Sequence, residues 1–116
     1  MLDEPLTVAP MQRVLVPTGL AIELPGAPCV ALVYARSGRA CKQDLAPANK
    51  VGVIDSDYRG EFMIALHNHG TEARVIAHGD RIAQLVVTPV IQPDYYEADT
   101  LDETSRGTGG FGSTGK

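Results

Sequence analysis

Apolar residues in this chain come in short runs, broken about every ten positions by Gly, Pro, Asp or other turn formers. Arg13-Val-Leu-Val-Pro17 is one run, ended by its proline, and Gly19–Leu24 is the next, closed by Pro25-Gly26. Cys29–Tyr34 is rich in β-branched and aromatic residues. Val51–Ile54 leads into the polar turn Asp55-Ser56-Asp57. Glu61–Asn68 closes at His69-Gly70, Ala73–Ala77 at His78-Gly79-Asp80, and Arg81–Val87 at Thr88-Pro89. No stretch shows a convincing helical period, so the pattern predicts an all-β sandwich or barrel without helices. From Ile91 it dissolves into acidic, tyrosine-containing sequence (Asp94-Tyr-Tyr-Glu97, Asp102-Glu103) and then a glycine-rich end. The expected organisation is a β-sandwich domain over residues 1–93 and a C-terminal segment with a flexible arm over 94–116. There are no internal repeats.

The arm, Arg106-Gly-Thr-Gly-Gly-Phe-Gly-Ser-Thr-Gly-Lys116, is the most informative segment. Composition alone reads as a disordered linker. Yet its glycines alternate with a cation, an aromatic ring and hydroxyls. Freed backbone amides, a guanidinium and hydroxyls suit phosphate oxygens, and a lone aromatic on an arm suits stacking on a flat ring. Phosphate plus flat ring reads as a nucleotide. Gly110 to Lys116 also matches G-x-x-x-x-G-K, but the preceding strand and following helix of a P-loop are missing.

Size and charge narrow the classes. A chain of 116 residues makes one domain with a modest core. The formal net charge of −4, without a basic run, excludes DNA or RNA as a partner held by counterion release. No apolar stretch is long enough to span a membrane. The first residues lack a signal-peptide pattern, and Cys29 and Cys41 form no CxxC, which fits a reducing cytoplasm.

Two polar loops interrupt the strands. Tyr34-Ala-Arg-Ser-Gly-Arg39 offers a bidentate cation, a hydroxyl and a glycine, the makings of a phosphate cup; taken alone, an ordinary turn accounts for it better. Asn49–Gly60 brings apolar residues up to Asp55, which could stand at a pocket floor within reach of a water. Tyr58 suits either a pocket wall or the core. Gln84, expected to be buried among Ile82, Ala83, Leu85 and Val86, needs a polar partner. His67 and His69, two apart on a strand, face one side and read as strand-end surface residues rather than a metal site.

Taken together, these segments resemble the homotrimeric dUTPase family over essentially the whole chain. Four of its five motifs are present: Ala35-Arg-Ser-Gly38, Val51-Gly-Val-Ile-Asp-Ser-Asp-Tyr-Arg-Gly60, Gly79-Asp-Arg-Ile-Ala-Gln84 and Arg106-Gly-Thr-Gly-Gly-Phe-Gly-Ser-Thr114. The resemblance implies a distorted jelly-roll (β-clip) sandwich and a cytoplasmic homotrimer with shared active sites, hydrolysing dUTP to dUMP and pyrophosphate with Mg²⁺. By similarity, Asp55 is the general base that activates water against the α-phosphorus. Tyr58 packs under the deoxyribose, and Asn49, Val53, Ile54 and Met63 read the uracil edge. Arg36, Ser37 and Gly38 are phosphate ligands lent by a neighbouring subunit, and Gln84 is another phosphate contact. Phe111 closes over uracil, while Arg106, Gly112 and Ser113 hold phosphate.

Three departures accompany the resemblance. The family's first motif, an Ala-Gly-x-Asp-Leu segment whose aspartate orients Mg²⁺ through water, has no counterpart. The chain is thus expected to be N-terminally truncated relative to the family, and the residues that would hold the metal are unknown. Arg39, which could be buried at a subunit contact only at a cost unless paired, stands where the family is apolar, and Asp44 stands where the family has glycine. A dCTP deaminase shares the fold, but Ile64, Ala65 and Leu66 occupy the strand of its catalytic glutamate and Cys41 the place of its arginine. A dUTPase-like protein that binds nucleotide or a protein partner without turnover is the alternative reading.

Overall fold

The structure is a computed structural model that describes residues 2–24 and 28–113. The described residues form eight strands and one helix. In chain order these are β1 (Leu6–Val8), β2 (Arg13–Pro17), β3 (Cys29–Ala35), α1 (Ser37–Gln43), β4 (Leu45–Pro47), β5 (Gly52–Asp55), β6 (Met63–Asn68), β7 (Arg74–Ile76) and β8 (Ala83–Pro89). All pairings are antiparallel, in a β1-β7 pair and two three-stranded sheets, β2-β6-β4 and β5-β3-β8.

Successive side chains point to opposite faces of each strand, and one face is buried. On β6, Ile64, Leu66 and Asn68 point inward while Met63, Ala65 and His67 point out. On β3, Cys29, Ala31 and Val33 are buried. Val16, Val33, Leu45, Ile64 and Leu66 meet in one cluster between the three-stranded sheets, with Val8 and Ile76 from the β1-β7 pair. Asn68, fully buried, fastens the layers: its Nδ2 donates to the carbonyls of Val8 (3.0 Å) and Glu72 (2.7 Å), and its Oδ1 accepts the Gly70 N–H (3.0 Å). A buried amide satisfied on both ends fixes strand register more strictly than an apolar residue of its size.

Three expectations are corrected. A helix, α1, occurs where none was predicted. It is seven residues long, buries nothing, and so leaves no periodic apolar signal. Arg39 Nη1 donates to Gln43 Oε1 across one turn (2.9 Å), and the helix stops at Asp44, which adopts the left-handed conformation (φ 55°) and donates its N–H to the Arg39 carbonyl. Second, residues 19–24 form no strand. Gly19 turns the chain at φ 72°, leaving an isolated bond from the Phe62 N–H to the Leu20 carbonyl. Third, Gln84 is exposed rather than buried, and its partner is the neighbouring backbone: Nε2 donates to the Ala35 carbonyl (2.8 Å). The Pro25-Gly26 turn lies outside the described residues.

Beyond β8 no further strand forms among the described residues, and residues 91–108 are exposed throughout. The radius of gyration is 19.2 Å, against about 13 Å for a compact chain of this length. The C-terminal segment therefore projects away from the sandwich instead of folding over it.

Candidate functional site

The predicted residues separate into three groups. The first fills a cleft of about 250 Å³ between β5 and β6. Asn49, Val53, Ile54, Asp55, Tyr58 and Met63 all line it, joined by Phe62 and Pro47. The local sequence builds the turns on either side of β5. The Lys50 N–H donates to the Pro47 carbonyl and the Val51 N–H to that of Asn49, turning the chain into β5 with Lys50 at φ 67°. After β5, the Tyr58 N–H donates to the Asp55 carbonyl (3.1 Å), closing the Asp55–Tyr58 turn. The Tyr58 hydroxyl donates to the Glu61 carbonyl (3.0 Å), laying the ring across Gly60, where a β-carbon would collide with it. Glycine is required there by close approach. Asp55 stands at the rim, exposed in the single chain rather than at a closed floor.

The second group gathers at the far end of β3. Arg36, Ser37, Gly38 and Gln84 line one polar cup with Arg39, Gly79, Asp80 and Arg81. Gln84 anchors the strand end that presents Arg36. Ser37 and Gly38 are exposed, and a β-carbon on Gly38 would meet nothing within 4 Å. Packing within the chain therefore does not demand glycine at 38. The Arg36 side chain, half-buried, makes no bond to a described residue.

Two of the three departures from the family pattern find partners within the chain. Arg39 pairs with Asp80 at 2.9 Å inside its own chain. The N–H of Ala77 first, then the Arg39 guanidinium, hold the Asp80 carboxyl below its ordinary value. Asp44 takes the left-handed position that glycine would fill, a conformation aspartate tolerates. Its carbonyl accepts the His69 N–H (2.8 Å), and a β-carbon on Gly70 would press on its carboxylate.

The third group, Arg106, Phe111, Gly112 and Ser113, lies on the projecting arm and lines neither cavity. Arg106 Nε donates to the Gly109 carbonyl (2.7 Å), and the Ser113 N–H donates to that of Gly110. Phe111 is fully exposed at φ 51°, next to Gly112 at φ 86°. Thr114, Gly115 and Lys116 lie outside the described residues.

Among the described residues, the single chain builds no seat for the expected Mg²⁺. Among the described residues no three His, Cys, Asp or Glu side chains are grouped to hold a metal, and Asp80, the carboxylate of the cup, is taken up by Arg39. No helix among the described residues is long and apolar enough to cross a membrane.

Sequence reasoning singled out neither Phe62 nor the Arg39–Asp80 pair. Phe62 immediately precedes Met63, and the i, i+2 alternation assigns it to the other face of β6. The pair joins residues far apart in the chain, and no local pattern announces it.

The dUTPase family model matches residues 1–115. The chain belongs to the dUTPase family. It is 61% identical over 114 residues to the deoxyuridine 5'-triphosphate nucleotidohydrolase of Desulfitobacterium hafniense (strain DSM 10664 / DCB-2), covering 98% of this chain and 76% of that one. Against the protein of the same name from Maricaulis maris (strain MCS10) it is 51% identical over 113 residues, covering 97% and 74%. A mutant Staphylococcus bacteriophage 80alpha dUTPase with dUpNHpp superposes with a TM-score of 0.89 at 25% identity, over 97% of this chain and 82% of that one. The dUTPase from Streptococcus mutans gives 0.72 at 30% identity, over 79% and 76%. These likenesses accord with the β-sandwich described above.

Proposed function

We propose that this dUTPase-family protein hydrolyses dUTP to dUMP and pyrophosphate, at sites completed by neighbouring copies of itself. The observation that carries the reading is the β5-β6 cleft. It draws into one cavity an unpaired carboxylate, an aromatic wall and an amide-bearing loop, all from residues 47–65. A flat base and a sugar suit that lining. Asn49 and the backbone around Val53 and Ile54 present donors and acceptors to uracil, with Met63 beside them. Tyr58, held by its bond to the Glu61 carbonyl, gives the deoxyribose a fixed face that leaves no room for a 2′-hydroxyl.

Asp55 removes a proton from a water whose oxygen attacks the α-phosphorus. The α-phosphorus–oxygen bond to the β-phosphate breaks, and the electron pair leaves with pyrophosphate. Arg36, Ser37, Gly38 and Gln84 bind the phosphates, with the open space at Gly38 letting them approach the backbone. Phe111 covers the base, and Arg106, Gly112 and Ser113 close on phosphate, excluding water other than the nucleophile. A divalent ion would be held mainly by the triphosphate oxygens, since no side-chain cluster among the described residues offers it a seat, and it would neutralise phosphate charge there. Solved relatives in the family include one with dUpNHpp.

The test is release of dUMP and pyrophosphate by the purified full chain, compared with Asp55→Asn. The variant is expected to bind dUTP with little change and turn over about 10²–10⁴-fold more slowly. Nucleotide binding by the unaltered chain without product would select the alternative of a binding protein. An Asn variant as fast as the parent would remove Asp55 from the mechanism.

A further inference from the structure

The outward face of β6 continues past the nucleotide cleft into a pair of histidines that dUTP hydrolysis does not use. His67 and His69 place their Nδ1 atoms 3.1 Å apart, with ring centroids at 4.2 Å and planes tilted by 56°. The two rings share a small cleft with Met11, Arg13 and Ala48.

The backbone beneath them is fixed on every side. β6 is the central strand of its sheet, with His67 in register with Arg13 on β2 and Ala46 on β4. The Met11 N–H donates to the Asn68 carbonyl (2.9 Å), and the His69 N–H donates to that of Asp44 (2.8 Å). Asn68, between the two histidines, is fully buried and hydrogen-bonded. Met11 is itself held at φ 60°, a left-handed conformation that favours glycine, and its side chain stands exposed on the cleft rim. The ring torsions are the freedom left to the pair.

At 3.1 Å one Nδ1 must donate and the other accept. If that proton moves to Nε2 of its own ring, both rings remain neutral and two Nδ1 lone pairs face the same space. Nitrogens 3.1 Å apart, each about 2.1 Å from a metal, subtend about 95° at it. Tetrahedral coordination asks for a wider bite. A right angle is that of neighbouring positions in octahedral or square-planar geometry, and imidazole pairs favour the late first-row ions.

We propose that His67 and His69 form a bidentate site for a late divalent transition-metal ion of the Ni²⁺ or Cu²⁺ kind, beside the nucleotide cleft on the same face of β6. Solvent completes the coordination, since no third His, Cys, Asp or Glu joins the pair among the described residues. Three groups set the local field. Arg13, in register with His67, and Lys50 oppose a cation, while Asp44 favours it. Burial, then the His67 and Lys50 charges, hold the His69 imidazole below its ordinary value against the pull of Asp44.

The test is calorimetric titration of the full chain with Ni²⁺ alone at neutral pH, in a Cys41→Ser background that removes the exposed thiol. One ion per chain is expected. His67→Gln and His69→Gln should each weaken binding by roughly 30-fold or more, with unchanged circular dichroism, and His78→Gln should leave it alone. Arg13→Gln should tighten it by about threefold, by removing a facing cation. Affinity kept within threefold in either His67 or His69 variant, or lost equally in His78→Gln, overturns the site.

Discussion

Asp55 and Asp80 are both carboxylates at turns, and their surroundings divide chemistry from structure between them. The Asp55 carboxylate has no partner among the described residues, and only its main-chain carbonyl is engaged, by Tyr58. That is the condition of a group kept available to a water. Asp80 accepts the N–H of Ala77 (3.0 Å) and pairs with Arg39 (2.9 Å). These contacts lower its folded value below the ordinary 3.8. A depressed carboxylate contributes stability in full above the unfolded value and loses it as pH falls through the folded one. The Asp80→Asn chain should therefore be less stable than the parent above pH 3.8, with the gap closing as the pH drops further. Urea unfolding midpoints across that range check this; a gap unchanged at the acid end would detach Asp80 from the fold's acid sensitivity. The group is largely solvent-facing, so the whole effect is small.

Among the elements, those legible in the sequence are the ones whose signal is local. β3 and β6 are apolar runs long enough to read as strands, though not to declare which face turns inward, and the predicted cleft residues all fall within the short stretch from Asn49 to Met63. β1 and β4 have three residues each, too few for a period, and α1 touches no core that would pattern it. Gly19–Leu24 was apolar enough to read as a strand, yet Gly19 at φ 72° turns it away from pairing. Gln84 was assigned to the interior because its neighbours are apolar. β8, however, is an edge strand with Leu85, Val86 and Val87 partly exposed in the single chain. The arm is the converse case: composition alone reads as a linker, and its interleaved cation, ring and hydroxyls suggest a chemistry without showing a target. Phe111 meets no base within its own chain. Phe111→Ala is expected to weaken dUTP binding by about 1–3 kcal/mol, and removal of residues 106–116 by more, because phosphate contacts go with it. The melting temperature should scarcely move in either variant, since these residues bury little. Calorimetry with a non-hydrolysable dUTP analogue, beside thermal melts, separates the two effects. Equal affinity with and without the arm would reduce it to a plain linker.

The whole molecule poses a problem that a single copy does not solve. The β5-β6 cleft, the Arg36 cup and the arm are separate in one chain, yet hydrolysis needs base, phosphate ligands and cover around one nucleotide. The molecule's extents, 57 × 41 × 21 Å, reflect an arm directed outward. The apolar edge of β8 and the groove beside it, lined by Val16, Phe62 and Ile64, also call for a covering surface. A closed ring of three copies, as proposed above, would meet both needs, each lending its cup and its arm to a neighbour's cleft. Light scattering is expected to show a trimer, but complementation is the more stringent test. Asp55→Asn and Arg36→Ala chains should each be nearly inactive alone. Co-expressed in equal amounts, they form mixed trimers. If Asp55 and Arg36 of one site come from different copies, about a quarter of the sites draw both intact residues, and about a quarter of the parent activity returns. If one copy supplies both, every site keeps one defect and nothing returns. Recovery near a quarter would place the site between subunits, and none would return it to the single chain.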